Sequence, residues 1–425
     1  MTTKRTDGKK DSGKKSGGKS AGRVTPDGSH AGNGAHDRAM TVSVFGMSTE
    51  GYDIARQAAI DGATVFIIDE SNPTAIELNA EIARTYPHIS SLQDDEPIMS
   101  LEPLHVAVSR SDYLFFAPRI RAQLHSTKAS THSLFKDAVE HVKGGASVVF
   151  CVPVGIGESS EYVSILQHDT GLEVGSEVSY YYYPLESGRP PPRMVGSADP
   201  GRVDGRLAAI FSPDPENPAE FATLAASEYI HAMEIVSRFA SICTMLEVAQ
   251  FVPRESVPEM AVDDRMQESY LDGMVGGLLD MRAVGLSLED AKSLQRLPTL
   301  YAKGLDSYVR RLVDNTKQII RDCDMRTTKT KVVILWSFDD HLMRGDRNEI
   351  CNVLAGRLQD WLADVDVYAE PPPGIFSTDK PMAVIPCSLK DFERAAAAKA
   401  EKPNLVVVKA TPLCEQFEGS PVVKL

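Results

Sequence analysis

Residues 40–71, MTVSVFGMSTEGYDIARQAAIDGATVFIIDES, constrain the fold more than any other stretch of the chain. TVSVF and ATVFIID are apolar without alternation, the pattern of strands covered on both faces. Between them, EGYDIARQAAIDG has helical periodicity and ends at Gly62. Strand, glycine turn, helix, strand and acid is the order that a dinucleotide site requires. The turn reads Gly46-Met47-Ser48-Thr49-Glu50-Gly51. In such a turn the first glycine permits the bend, the second lets backbone approach a pyrophosphate, and the third lets helix and strand pack. Ser48 takes the second place, so a Cβ stands where the closest approach is expected. Asp69 ends the second strand, where a carboxylate accepts ribose hydroxyls and repels a 2′-phosphate, a preference for NAD.

The alternation continues along the chain. A helix is expected at PTAIELNAEIART, a strand at DYLFFAP, a helix at STHSLFKDAVEHVKGG and a strand at ASVVFCVP. A tyrosine-rich strand follows in EVSYYYYPLESGRPPPRMVG. The reading is α/β: a Rossmann-like, doubly wound parallel sheet over residues 40–200. Residues 217–250 form a long, largely apolar helical pattern, followed by helices near 265–296 and 298–322. They make residues 201–324 an all-α middle segment suited to a homodimer core. From KVVILWSF onward the strand–helix–strand order returns, which predicts a smaller Rossmann-like α/β domain over 325–425.

Residues 1–39 carry nine Lys or Arg and four Asp with almost no aliphatic side chains, the composition of a disordered basic tail. Met40, just before the first strand, is an alternative start. With +5 on the tail and −14 in total, the remainder carries −19, a charge that repels nucleic acid. The six cysteines are scattered and the histidines dispersed, so the chain reads as cytoplasmic, with no metal site and no membrane span.

At this point the motifs resemble those of the UDP-glucose/GDP-mannose dehydrogenase family. Gly46–Gly51 and Asp69 are similar to the family's G-x-G-Y-V-G turn and acidic strand end. Phe116-Ala117-Pro118-Arg119 is similar to its A-V-P-T-P segment, and Phe150-Cys151-Val152-Pro153-Val154-Gly155 to its S-T-V-P-x-G-T. SRFASICTMLEV resembles its NELALICEKLGI, and KVVILWSFDDHLMRGDRNEI its KVLVLGLAYKPDVDDLRESP. The resemblance implies an NAD domain, a helical dimer core and a sugar-nucleotide domain. It assigns the cofactor to Gly46, Ser48, Thr49, Glu50, Gly51, Asp69, Ala117 and Pro118, and a nucleotide-sugar substrate to Arg347.

The residues of the family's chemistry are replaced. Its nucleophilic cysteine sits in G-V-G-G-H-C, whereas this chain has Met274-Val275-Gly276-Gly277-Leu278-Leu279, with no cysteine between Cys243 and Cys323. Its helix lysine has no counterpart, since no lysine lies between Lys143 and Lys292. Asp339-Asp340 stands in place of its Y-K, and two acids there repel a pyrophosphate. Three groups remain as candidates for proton transfer or a displaced nucleophile: Glu186, displaced by one residue from the family carboxylate, His231 in the long helix, and Cys151. Packing is the ordinary role of a cysteine in an apolar strand and of a lone histidine on an apolar helix. The tyrosines 180–183 alternate, so two of them could face a ligand, and Arg189 and Arg193 could hold a phosphate. Two readings follow: an NAD-binding oxidoreductase acting on a CH–OH group without the cysteine-dependent second oxidation, or an inactive homologue serving as sensor or scaffold.

Overall fold

The computed structural model describes residues 40–72, 74–95, 100–121, 124–186, 192–211, 218–248, 251, 270–288, 296–372, 374–378, 380–402, 405–412 and 422–423. The tail and Arg189 lie outside them. The apolar runs become the strands β1 (Thr41–Phe45), β2 (Thr64–Ile68), β5 (Tyr113–Phe116), β6 (Ser147–Phe150) and β7 (Ser179–Tyr182). They pair in parallel in the order β2-β1-β5-β6-β7. The chain order reverses between β1 and β5, which opens a crevice at their carboxyl ends.

Two antiparallel partners widen this sheet on one side: β3 (Thr74–Leu78) and β4 (Leu101–Pro103). β3 falls in the segment read from sequence as helix, and only Ala80–Thr85 is helical there. TAIEL suits either period, and pairing against β2 decides the outcome by burying Ala75 and Leu78. On the other side β8 (Met194–Ser197) and β9 (Glu220–Thr223) carry the sheet past residue 200, so that among the described residues it has nine strands. All four tyrosines 180–183 are buried, because helices and loops cover both faces of β7. Arg193 is exposed.

The long helix Leu224–Val248 follows directly from β9 and packs against β8 and the helix Arg296–Asp322. Between them lie the short helices Leu271–Val275 and Leu278–Ser287. The second sheet runs β11-β10-β12-β13-β14, with β10 (Lys331–Leu335), β11 (Val365–Tyr368), β12 (Met382–Pro386) and β13 (Leu405–Val408) parallel and β14 (Val422–Val423) antiparallel. Phe239 and Tyr301 of the middle helices share one apolar core with Trp336 and Leu354 of the second sheet and its helix Asp346–Gln359. The middle and the second sheet are thus fastened together, and the segment between β10 and the helix Asp346–Gln359 is carried to the crevice of the first sheet.

Candidate functional site

The glycine turn closes the end of β1. Gly46 has φ +121°, and a Cβ there would stand 2.3 Å from the Ala117 carbonyl oxygen, so only glycine lets the ends of β1 and β5 meet. Ser48 is fully buried and caps the helix Thr49–Ile60, with its hydroxyl accepting from the Gly51 N–H at 3.1 Å and donating to the Ala117 carbonyl at 2.5 Å. The serine that replaces the second glycine is therefore turned inward, away from the crevice.

Acceptors from the chain itself fill the rest of the turn. The Met47 N–H donates to the Glu70 carboxylate at 2.7 Å, and the Thr49 N–H to the His341 carbonyl at 2.8 Å. The Thr49 hydroxyl donates to the Asp339 carboxylate at 2.5 Å, and the Met343 N–H to the Glu50 carboxylate at 2.8 Å. Arg119 pairs with Glu70 at 2.6 Å, and Arg121 donates to the carbonyls of Asp340 and Leu342. A bridge between Ile120 and Arg344 completes the contact. Asp69 turns back on its own loop, accepting the Ser71 N–H at 2.8 Å. A pyrophosphate does not fit this turn as it stands: the N–H groups of Met47, Thr49 and Gly51 are engaged, and the carboxylates of Glu70 and Asp339 occupy the space beside them.

The end of β6 is held in the same way. The buried Glu228 of the long helix accepts the N–H groups of Gly157 and Ser159 at 2.8 and 2.7 Å. Cys151 is fully buried, and burial pushes its thiol well above the ordinary range, so it is neither ionised nor reachable at neutral pH. Beside it a cavity of about 60 Å³ is lined by Val152, Pro153, Val154, Tyr162, Leu279 and Arg344 among others. Ligand pockets span about 300–1,000 Å³, so this space is too small for a nicotinamide nucleotide.

Leu278 and Leu279, where the resemblance places histidine and cysteine, are buried at the start of the helix Leu278–Ser287. Gly277, at φ +81°, forms its N-cap. The Asp346 carboxylate caps it, accepting the N–H groups of Gly277 and Leu279 at 3.2 and 2.9 Å. Burial first, and then the neighbouring Asp280, push the Asp346 carboxyl up to about 7 against the pull of Arg344 and the Leu279 N–H. Arg344 and Asp280 form a buried ion pair at 2.7 Å, and Arg344 also donates to the Pro153 carbonyl at 2.8 Å. Arg347 pairs with Asp272 at 2.5 Å, which also accepts from the Trp336 indole.

Glu186 and His231 come together next to this turn. Their nearest oxygen and nitrogen are 3.7 Å apart, too far for a hydrogen bond, and Arg238 is 3.7 Å from the other oxygen of Glu186. Burial holds the imidazole down at about 4, so His231 is neutral at pH 7 and the contact is not an ion pair. The structure thus brings Glu186 and His231 together, leaves Cys151 in the core, and commits Arg347 to Asp272. Sequence reasoning missed Glu70, Glu228, Asp280, Arg344 and Asp346. The one visible signal was acids interrupting apolar segments, as in AASEYIHAM. Among the described residues no group of three or more His, Cys, Asp or Glu is placed to hold a metal, and no helix is long and apolar enough to cross a membrane.

No protein-family model and no curated protein sequence matches the chain. Solved structures do. A UDP-D-ManNAc dehydrogenase from Pyrococcus horikoshii superposes with a TM-score of 0.61 at 12% identity, over 88% of this chain and 96% of that one. A UDP-glucose dehydrogenase from Pyrobaculum islandicum gives 0.59 at 14% identity, over 92% and 98%. An NDP-N-acetyl-D-galactosaminuronic acid dehydrogenase from Methanosarcina mazei Go1 gives 0.52 at 16% identity, over 91% and 94%. Likeness along nearly the whole of both chains covers the first sheet, the helical middle and the second sheet alike, and the chain is built on the fold of the nucleotide-sugar dehydrogenases.

Proposed function

We propose that this protein has kept the nucleotide-sugar dehydrogenase fold without its thiolate-dependent oxidation, and works as a non-oxidising sensor or scaffold subunit. One observation carries the reading: the position that the resemblance assigns to the nucleophile is Leu279, buried against a cavity of about 60 Å³. An alkyl side chain forms no thiohemiacetal, and the buried Cys151 thiol does not replace it. Incubating the full chain with NAD and a panel of UDP- and GDP-sugars tests this. The expected result is no NADH and no uronic acid, whereas acid formation at enzymatic rates would refute it.

The subunit pairs with a second copy of itself. Along the long helix Tyr229, Met233, Ser237, Ser241, Thr244 and Val248 recur every three or four residues, all exposed and none charged. Such a face suits a symmetric helix pair. Sedimentation should give a dimer, and Met233→Glu should give a monomer.

A second reading, one-step chemistry at an alcohol, draws on a different observation. His231, 3.7 Å from Glu186, is neutral and can accept a proton, although burial, by holding it down at about 4, leaves it a weak base at pH 7. This reading needs the glycine turn opened, and on it His231→Gln abolishes activity while leaving the fold intact.

A further inference from the structure

Among the described residues, Thr49 and Glu50 of the glycine turn are contacted from across the crevice by one segment, residues 339–343, between β10 and the helix Asp346–Gln359. We propose that this segment is an internal competitor for the turn: the C-terminal α/β part occupies the place of a dinucleotide's pyrophosphate, so that docked segment and bound dinucleotide exclude each other.

Hydrogen bonds and charge support it. The segment presents acceptors where phosphate oxygens would lie, namely a carbonyl on the Thr49 N–H and a carboxylate on the Thr49 hydroxyl, while Glu70 takes the Met47 N–H from the other side. It is held from both ends. Met343 donates to Glu50, its carbonyl accepts the Ile120 N–H at 2.7 Å, and Arg121 grips the carbonyls of Asp340 and Leu342. The acids also suit their place electrostatically, since carboxylates at a helix N-terminus are stabilising. The His341 ring adds a clasp, reaching Gln93 at 2.7 Å and Asp339 at 3.1 Å. The dinucleotide motif in the sequence is thus reused as a socket for the chain's own segment. The inference concerns the cofactor crevice and is read from dinucleotide affinity with no sugar present, so its failure is told apart from a failure of the proposed function.

If the open form is about 1% of the population, the apparent affinity for a dinucleotide falls about a hundredfold. Calorimetric titration of the full chain with NAD, and with ADP-ribose to isolate the pyrophosphate, should show no binding at micromolar concentration. Asp339→Asn and the stronger pair Asp339→Ala with Glu70→Ala should each bind NAD at least about tenfold more tightly, a coupling of about 1.4 kcal/mol. The single amide substitution keeps the shape of the segment, so it reports even if the pair fails to fold. Micromolar NAD binding by the unaltered chain would overturn the proposal, as would folded variants that gain no affinity.

Discussion

Two helix starts are contacted by one stretch of chain, residues 339–346, and both follow a glycine with positive φ. At the first, the helix Thr49–Ile60 receives acceptors from Ser48, Asp339 and His341. At the second, the helix Leu278–Ser287 is capped by Asp346. Residues 339–346 therefore serve both, Asp339 and His341 on one and Asp346 on the other. The surroundings differ. Asp339 is partly exposed, and although burial acts to raise it, the Thr49 hydroxyl and the N–H and ring of His341 outweigh burial and hold the carboxyl below its ordinary value. Asp346 is buried beside Asp280 and is pushed up to about 7. The same kind of cap is a wet latch in one place and a strained core element in the other.

The largest effect is expected at the second helix start. Asp280→Ala removes the ion-pair partner of Arg344, leaving the Pro153 carbonyl and the nearby Asp346 as its compensation, and should cost about 3 kcal/mol in chemical denaturation. Asp280→Leu with Arg344→Met should recover most of that loss, and failure to recover would mean that the pair does more than match charge. The two glycines should then separate. Gly46→Ala drives a Cβ into the rigid backbone of Ala117, whereas Gly277→Ala meets the movable end of Arg238 at 3.2 Å. About 3 kcal/mol is expected for Gly46→Ala, and about 1–2 for Gly277→Ala, whose cost is mainly backbone strain. Equal losses would erase the distinction between the two turns.

At the wet latch, Thr49→Ala removes one hydrogen bond to a carboxylate and should cost about 1–2 kcal/mol. The pH responses should be opposite in sign. Asp339, with its folded value depressed, contributes stability that is present above about 3.9 and is lost as pH falls through its lower folded value. Asp346, with its folded value raised to about 7, stabilises most below the ordinary carboxylate range and loses that contribution as pH rises toward neutrality. Melting curves between about pH 4 and 7 should therefore slope downward with pH at this site, and Asp346→Asn should flatten them. An unchanged slope would remove Asp346 as its source.

Much of the fold was legible because its strands are unbroken apolar runs and its helices keep their period. β1, β2, β5 and β10 all lie within stretches such as TVSVF and KVVIL. β3 was not legible, since five residues that suit both periods are decided by the neighbouring strand. The site was legible by halves. The glycine turn, the acids at 339–340 and the missing cysteine can all be read directly, but what the turn holds cannot. Thr49 and Asp339 are 290 residues apart, and no local pattern announces such a contact. Ser48 illustrates the limit, because its type suggests obstruction of a ligand while its buried hydroxyl serves the helix instead.

Amide hydrogen exchange at Met47 and Thr49 in the full chain, with and without NAD, reads whether the glycine turn is occupied by the chain itself. Because Glu70 and His341 hold these two N–H groups, both should exchange slowly in the ligand-free protein and be unchanged by NAD. Rapid exchange that becomes protected only when NAD is added would show an open dinucleotide site and rule out an occupied turn.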